Sequence, residues 1–158
     1  MASRIRYWQN ARLPAQGSLE SSSLMDISNQ GPIRILIVDD HAVLRKAVRG
    51  LLESRSEFEV CGEAEDGPQA IELAGELKPD VVILDIVMPK MNGFEVARKM
   101  RGVSPHSQIV ILSSHKDNQL LEEARNVGAV CYVPKADAER ELIDAVKAAA
   151  RGGSSAAP

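Results

Sequence analysis

The chain has 158 residues, 44% of them apolar, and 19 basic against 22 acidic side chains give a net charge of −3. That is enough for one packed domain with a tail or two, and it excludes a disordered chain. A weakly acidic balance excludes a surface that tracks nucleic acid by neutralising phosphates, so no direct nucleic-acid binding is expected of this chain. The longest apolar runs are strand-sized and the N-terminal arginines precede no apolar core, so neither a membrane span nor a signal peptide is expected. Cys61 and Cys131 lack metal or redox spacing and read as buried free thiols, which places the protein in a reducing cytoplasm.

Residues 1–32 show no sustained periodicity and include Gly17-Ser18-Leu19-Glu20-Ser21-Ser22-Ser23, a composition that cannot offset the entropy of ordering. A flexible N-terminal arm is expected there, in which Tyr7-Trp8 with Arg4, Arg6 and Arg12 form at most a small docking patch. Met25 offers an alternative start of translation, which the mass of the intact native protein decides. From Ile33 onward strand-like and helix-like stretches alternate, which predicts a parallel sheet covered by helices on both faces. The strands are predicted near residues 33–38, 58–63, 80–84, 108–112 and 130–133, each short and rich in Val and Ile. The helices between them carry apolar stripes: Leu44, Ala47, Val48 and Leu51, then Ala70, Leu73 and Leu77, and in the last helix Leu142, Ala145, Val146 and Ala149. These stripes read as core. A domain over 33–151 is expected, with 152–158 a tail or truncated linker.

The chemistry lies at the strand ends. The run Ile33–Val38 ends in Asp39-Asp40, and Val81-Val82-Ile83-Leu84 ends in Asp85. In an alternating βα chain the ends at Val38, Leu84, Leu112 and Val133 fall on one edge of the sheet, where an open α/β sheet places its site. That edge therefore gathers Asp39, Asp40, Asp85, Ser113, Ser114 and Lys135. Carboxylates this close repel one another unless a cation is present, and an all-oxygen donor set with retained waters suits Mg²⁺. Magnesium would keep Asp85 ionised and nucleophilic. Attack on a phosphoryl group would create an aspartyl phosphate of about two negative charges. Mg²⁺, the ammonium of Lys135 and the hydroxyl of Ser113 are the groups available to hold its oxygens.

The acid pair, Asp85-Ile86-Val87-Met88-Pro89-Lys90-Met91-Asn92-Gly93, Ser113 and Tyr132-Val133-Pro134-Lys135 stand in an order and spacing that resemble the receiver domain of two-component response regulators. The resemblance runs from about Ile33 to Ala150. Ile37-Val38-Asp39-Asp40-His41 and Gly128-Ala129 look most like receivers that precede a C-terminal helix-turn-helix. It implies a flavodoxin-like (βα)5 fold, a doubly wound five-stranded parallel sheet of order 2-1-3-4-5. It further implies a phosphoacceptor rather than an enzyme. Asp85 would take phosphate from a sensor histidine kinase or phosphotransfer protein and would otherwise only promote its own phosphorylation and dephosphorylation. Asp40, Asp85 and the carbonyl of Val87 would ligate Mg²⁺, with Asp39 bound through water. Lys135 would pair with the phosphoryl group, Ser113 would swing to bond it, and Tyr132 would turn inward as the second switch residue. The face formed by the fourth helix, fifth strand and fifth helix would meet a partner or a second copy. Two positions depart from the family: Cys131 stands where Gly is usual, and Ala136 replaces a proline that often follows a cis bond.

Two other readings compete. A Mg²⁺-dependent phosphohydrolase also uses a strand-tip aspartyl nucleophile, but it wants a second acid where Val87 stands. A receiver-shaped interaction module that works without phosphate conflicts with the intact acid set. Taken alone, Asp39-Asp40 reads as a helix N-cap, Lys135 as a solvated charge and Tyr132 as a core aromatic. His41, His106 and His115 share no ligand spacing, so no zinc site is expected, and His41 is assigned to the first helical turn. Met88-Pro89 and Asn92-Gly93 are assigned turn chemistry.

Overall fold

The structure is a computed structural model, and it describes residues 6–7, 31–115 and 117–154. Five strands and five helices alternate in the order β1 (Ile33–Val38), α1 (Ala42–Glu53), β2 (Phe58–Ala64), α2 (Gly67–Leu77), β3 (Val81–Leu84), α3 (Gly93–Val103), β4 (Gln108–Ser113), α4 (Asn118–Asn126), β5 (Cys131–Pro134) and α5 (Ala138–Ser154). A 3₁₀ turn over Lys135–Asp137 joins β5 to α5. The five strands are parallel and lie in the order β2-β1-β3-β4-β5.

The strands divide their side chains by the two-residue period of extended backbone. In β1, Leu36 and Val38 face one side, packing with Ala70 and Ala74 of α2, Phe94 and Met100 of α3 and Ala124 of α4. Ile35 and Ile37 face the other side, packing with Val48 and Leu52 of α1 and Leu142, Val146 and Ala149 of α5. Both faces are thus covered, which explains why the strands read as continuous apolar runs rather than alternating ones.

Local signals set the helix ends. Asp66 caps α2 by accepting from Gln69 N at 2.9 Å, with a proline in the first turn, and α2 ends at Lys78 in the left-handed region, φ 48°. Asn92 and Asp117 cap α3 and α4 by accepting from Glu95 N and Gln119 N. The acid pair caps nothing: the N-cap of α1 is His41, with no side-chain cap bond.

Four expectations are corrected. Ala47 is exposed, and Leu52 takes its place in the core, because Leu44, Val48 and Leu52, four residues apart, lie on one line of the helix. Cys61 is only half-buried, being the extra residue where the β1–β2 register shifts between Ile35↔Val60 and Leu36↔Gly62. α5 continues through Gly152 to Ser154, past the predicted start of the tail. The sheet has a sixth strand: Arg6–Tyr7, in the arm expected to be flexible, pairs antiparallel with β5 in the register Arg6↔Tyr132 and Tyr7↔Cys131. Residues 1–5 and 8–30 of the predicted arm, with Met25, and residues 155–158 lie outside the described residues.

Candidate functional site

The strand order reverses between β1 and β3, where neighbouring crossover helices part to opposite faces and leave a crevice beyond the strand ends. Val38 and Leu84 are register partners there, so the residues that follow them, Asp39 and Asp85, emerge side by side. Backbone bonds continue past the strands: Asp39 N donates to Ala64 O at 3.1 Å and Asp85 N to Val38 O at 3.0 Å. Both carboxylates are buried, at 3% exposure each.

Lys135, arriving from β5, places Nζ 2.9 Å from Asp39 Oδ2 and 3.2 Å from Asp85 Oδ2. The first contact lies off the hydrogen-bonding direction, so the buried Asp39 Oδ2 is charge-compensated yet has no hydrogen bond. Burial, reinforced by the negative charge of Asp39, pushes the Asp85 carboxyl above its ordinary range, while Lys135 and the amide of Ile86, 2.8 Å from Asp85 Oδ1, pull against that. Burial pulls the pKa of Lys135 down, but the two carboxylates beside it, Asp39 and Asp85, outweigh that, and its pKa is raised. One ammonium therefore serves two buried carboxylates, with Asp40 at their rim.

A divalent cation fits this arrangement. One ligand atom from each of Asp39, Asp40, His41 and Asp85 lies within 4.8 Å of the others. A buried oxygen without a hydrogen bond, an acid whose charged form is disfavoured, and a half-exposed third acid with room for waters suit a hard, hydrated ion such as Mg²⁺.

Ser113 ends β4 fully buried, its Oγ accepting from His115 N at 3.2 Å. Tyr132 is already turned inward at 2% exposure, and its hydroxyl finds no hydrogen-bond partner. Burial raises the Tyr132 phenol, against a downward pull from Ser113. Val87 stands at the rim, its side chain apolar and 56% exposed. Gly93 does more than turn the chain. A Cβ there would lie 2.3 Å from Asp85 O and 2.9 Å from Ile86 Cα, so glycine is the side chain that lets α3 press against the acid loop.

Two residues near the site carry no role in the sequence reading. His41 places Nδ1 3.0 Å from Asp39 Oδ1 and 3.2 Å from Asp40 Oδ1, bracing the acid pair from the solvent side. Arg45 donates Nη1 to Asp39 O at 2.6 Å and Nε to Glu63 Oε1 at 3.3 Å, tying the acid turn to β2. The only signal for it is a cation beside Leu44 on the packed line of α1, one and a half turns past the acids.

Residues 35–147 match the protein family described as the response regulator receiver domain. The transcriptional regulatory protein DegU of Brevibacillus brevis is 39% identical over 125 residues, covering 79% of this chain and 53% of that one. The nitrate/nitrite response regulator protein NarL of Escherichia coli (strain K12) is 40% identical over 126 residues, covering 80% and 58%. The chain thus spans little more than half the length of the curated relatives it matches. Among solved structures, the response regulator domain of Thermotoga maritima CheB superposes with a TM-score of 0.72 at 31% identity, over 76% of this chain and 97% of that one.

Proposed function

The chain belongs to the response regulator receiver domain family, whose general function is to accept a phosphoryl group on an aspartate, and from that premise we propose that Asp85 is the acceptor here. The observation that carries this reading is the burial of Asp85 at the β3 end, 3.2 Å from a lysine it shares with a second buried acid. An oxygen of Asp85 bonds the phosphorus as the P–N bond of a phosphohistidine on the sensor kinase breaks, and the departing imidazole takes up a proton.

Bound Mg²⁺ would supply positive charge to the acids and to the incoming phosphoryl oxygens. Asp40, Asp85 and the Val87 carbonyl would hold it, with Asp39 acting through water. Lys135 needs only to shift from its carboxylates to a phosphoryl oxygen. Ser113 gives up its contact with His115 and donates its hydroxyl instead, and Tyr132 is then fixed in the inward rotamer it already adopts. Phosphorylation thereby reaches the surface of α4, β5 and α5, which meets a partner or a second copy. Residues 33–151 form the receiver, and the chain acts in the cytoplasm as a signalling domain that catalyses only its own phosphorylation and dephosphorylation. An apolar Val87 where a hydrolase needs an acid speaks against phosphatase turnover.

The test is incubation with acetyl phosphate and Mg²⁺, read by intact mass and by gel retardation. The native chain gains one hydroxylamine-labile phosphoryl group and Asp85→Asn gains none. Labelling that persists in Asp85→Asn overturns the assignment.

A further inference from the structure

His41 stands at a position whose usual work it does not do. A side chain at the N-cap of a helix ordinarily accepts from the amides of the first turn. His41 is the N-cap of α1, with φ −90° and ψ 105°, and makes no such bond. Its ring lies over the acid pair instead, with Nδ1 3.0 Å from Asp39 Oδ1 and 3.2 Å from Asp40 Oδ1. The side chain is 65% exposed, so burial does not dictate that orientation. Nor does Asp39 need the ring: its Oδ1 already accepts from the His41 main-chain N at 2.8 Å. Asp39 Oδ2 faces Lys135 on the other side, buried and without a hydrogen bond. The turn that carries all three residues is held from behind by the bond from Arg45 to Asp39 O.

We infer that Nδ1 of His41 is a ligand of the divalent cation, at a position that an all-oxygen site leaves to water, and that it shifts the site's preference from Mg²⁺ toward first-row transition ions such as Co²⁺. The inference rests on the cation-binding reading given above and adds a nitrogen donor to it. Spacing supports ligation. Adjacent ligands of an octahedral ion with bonds of about 2.1 Å stand about 3 Å apart, and opposite ligands about 4.2 Å apart. The two Nδ1 separations match such an edge, and the atoms offered by Asp39, Asp40, His41 and Asp85 all lie within 4.8 Å of one another. Donor chemistry supports the preference. Mg²⁺ favours oxygen and gives up water reluctantly, whereas imidazole suits the first-row ions, whose affinity rises along the series from Mn²⁺ through Co²⁺. A histidine that only braced the acids by hydrogen bonding would serve every cation alike.

His41→Asn in the full chain tests this, because asparagine is a favoured N-cap that keeps the start of α1 and offers an oxygen where the nitrogen stood. Mn²⁺ bound to the native chain is expected to show, in pulsed electron paramagnetic resonance, the nitrogen modulation of a directly coordinated imidazole. The modulation is expected to vanish in His41→Asn while Mn²⁺ stays bound. In calorimetry the Co²⁺ affinity is expected to fall about tenfold in the variant and the Mg²⁺ affinity to stay within about threefold of native. Modulation that is missing from a native chain with Mn²⁺ bound, or that persists in His41→Asn, overturns ligation by His41 and leaves the phosphoacceptor reading standing. Equal losses of Co²⁺ and Mg²⁺ affinity mark a brace and overturn the preference. A native chain that binds none of the three ions overturns the inference together with the cation site on which it rests.

Discussion

At the scale of single residues, the site is a strained distribution of charge. Asp85 has its pKa raised by burial and by Asp39, so its proton is held more tightly in the folded chain than in the unfolded one. The stability tied to that protonated form is present at low pH and is lost as pH rises through the folded pKa, leaving a destabilising charge at neutrality. Without Mg²⁺, Asp85→Asn is therefore expected to melt higher than the native chain at pH 7, with the gain vanishing near pH 4, as thermal unfolding at the two pH values will report. Arg45 supports the same charges from behind through its 2.6 Å bond to Asp39 O. Arg45→Ala removes a charge-assisted bond from a half-buried carbonyl and is expected to cost about 1–2 kcal/mol in urea unfolding. Calorimetry should show Mg²⁺ affinity falling several-fold in the same variant, because the acid turn is no longer fixed to β2. The sequence makes Asp39, Asp40, Asp85 and Lys135 legible because each lies within two residues of the end of a recognisable strand. It leaves Arg45 unread, since its partners are fixed by the angle at which α1 leaves the sheet, and it sets His41 in the first helical turn, where the structure makes it the N-cap beside the acid pair.

Among the elements, α3 sets the position of the acid loop most directly. Gly93 N donates to Ile86 O at 2.8 Å, and the missing Cβ is what permits that approach. Gly93→Ala must push α3 away from the Asp85 backbone. A cost of about 2–3 kcal/mol in urea unfolding is expected, with weaker Mg²⁺ binding even though no ligand is altered. The capping residues Asp66, Asn92 and Asp117 can be read from the chain because each acts within its own first turn. The reason for Gly93 cannot, because its conflict is with a segment brought against it by folding. On β5, the thiol of Cys131 is pushed up to about 12 by burial alone, so it should resist a thiol reagent in the folded chain while the half-buried Cys61 reacts.

For the whole molecule, cation binding and folding are one equilibrium. Mg²⁺ at about a hundredfold above its dissociation constant should stabilise the native chain by about 2.7 kcal/mol. Thermal unfolding should register this as a rise in Tm that is absent in Asp85→Asn and fades as the pH falls toward the raised pKa of Asp85. The alternating apolar runs and helical stripes determined on their own that this chain forms a doubly wound parallel sheet, and the polar residues after the runs determined which edge carries the chemistry. The first follows from uninterrupted apolar runs, the mark of strands buried on both faces, and from a helical period of about four residues; the second follows from the common edge at which successive parallel strands end. Tertiary structure alone decided that Leu52 rather than Ala47 enters the core and that one lysine bridges two buried acids. It also decided that Arg45 anchors the acid turn and that Arg6–Tyr7 lies along β5. Each of these depends on a distance between residues far apart in the chain, fixed by the packing of helices against the sheet and not by any period within the sequence.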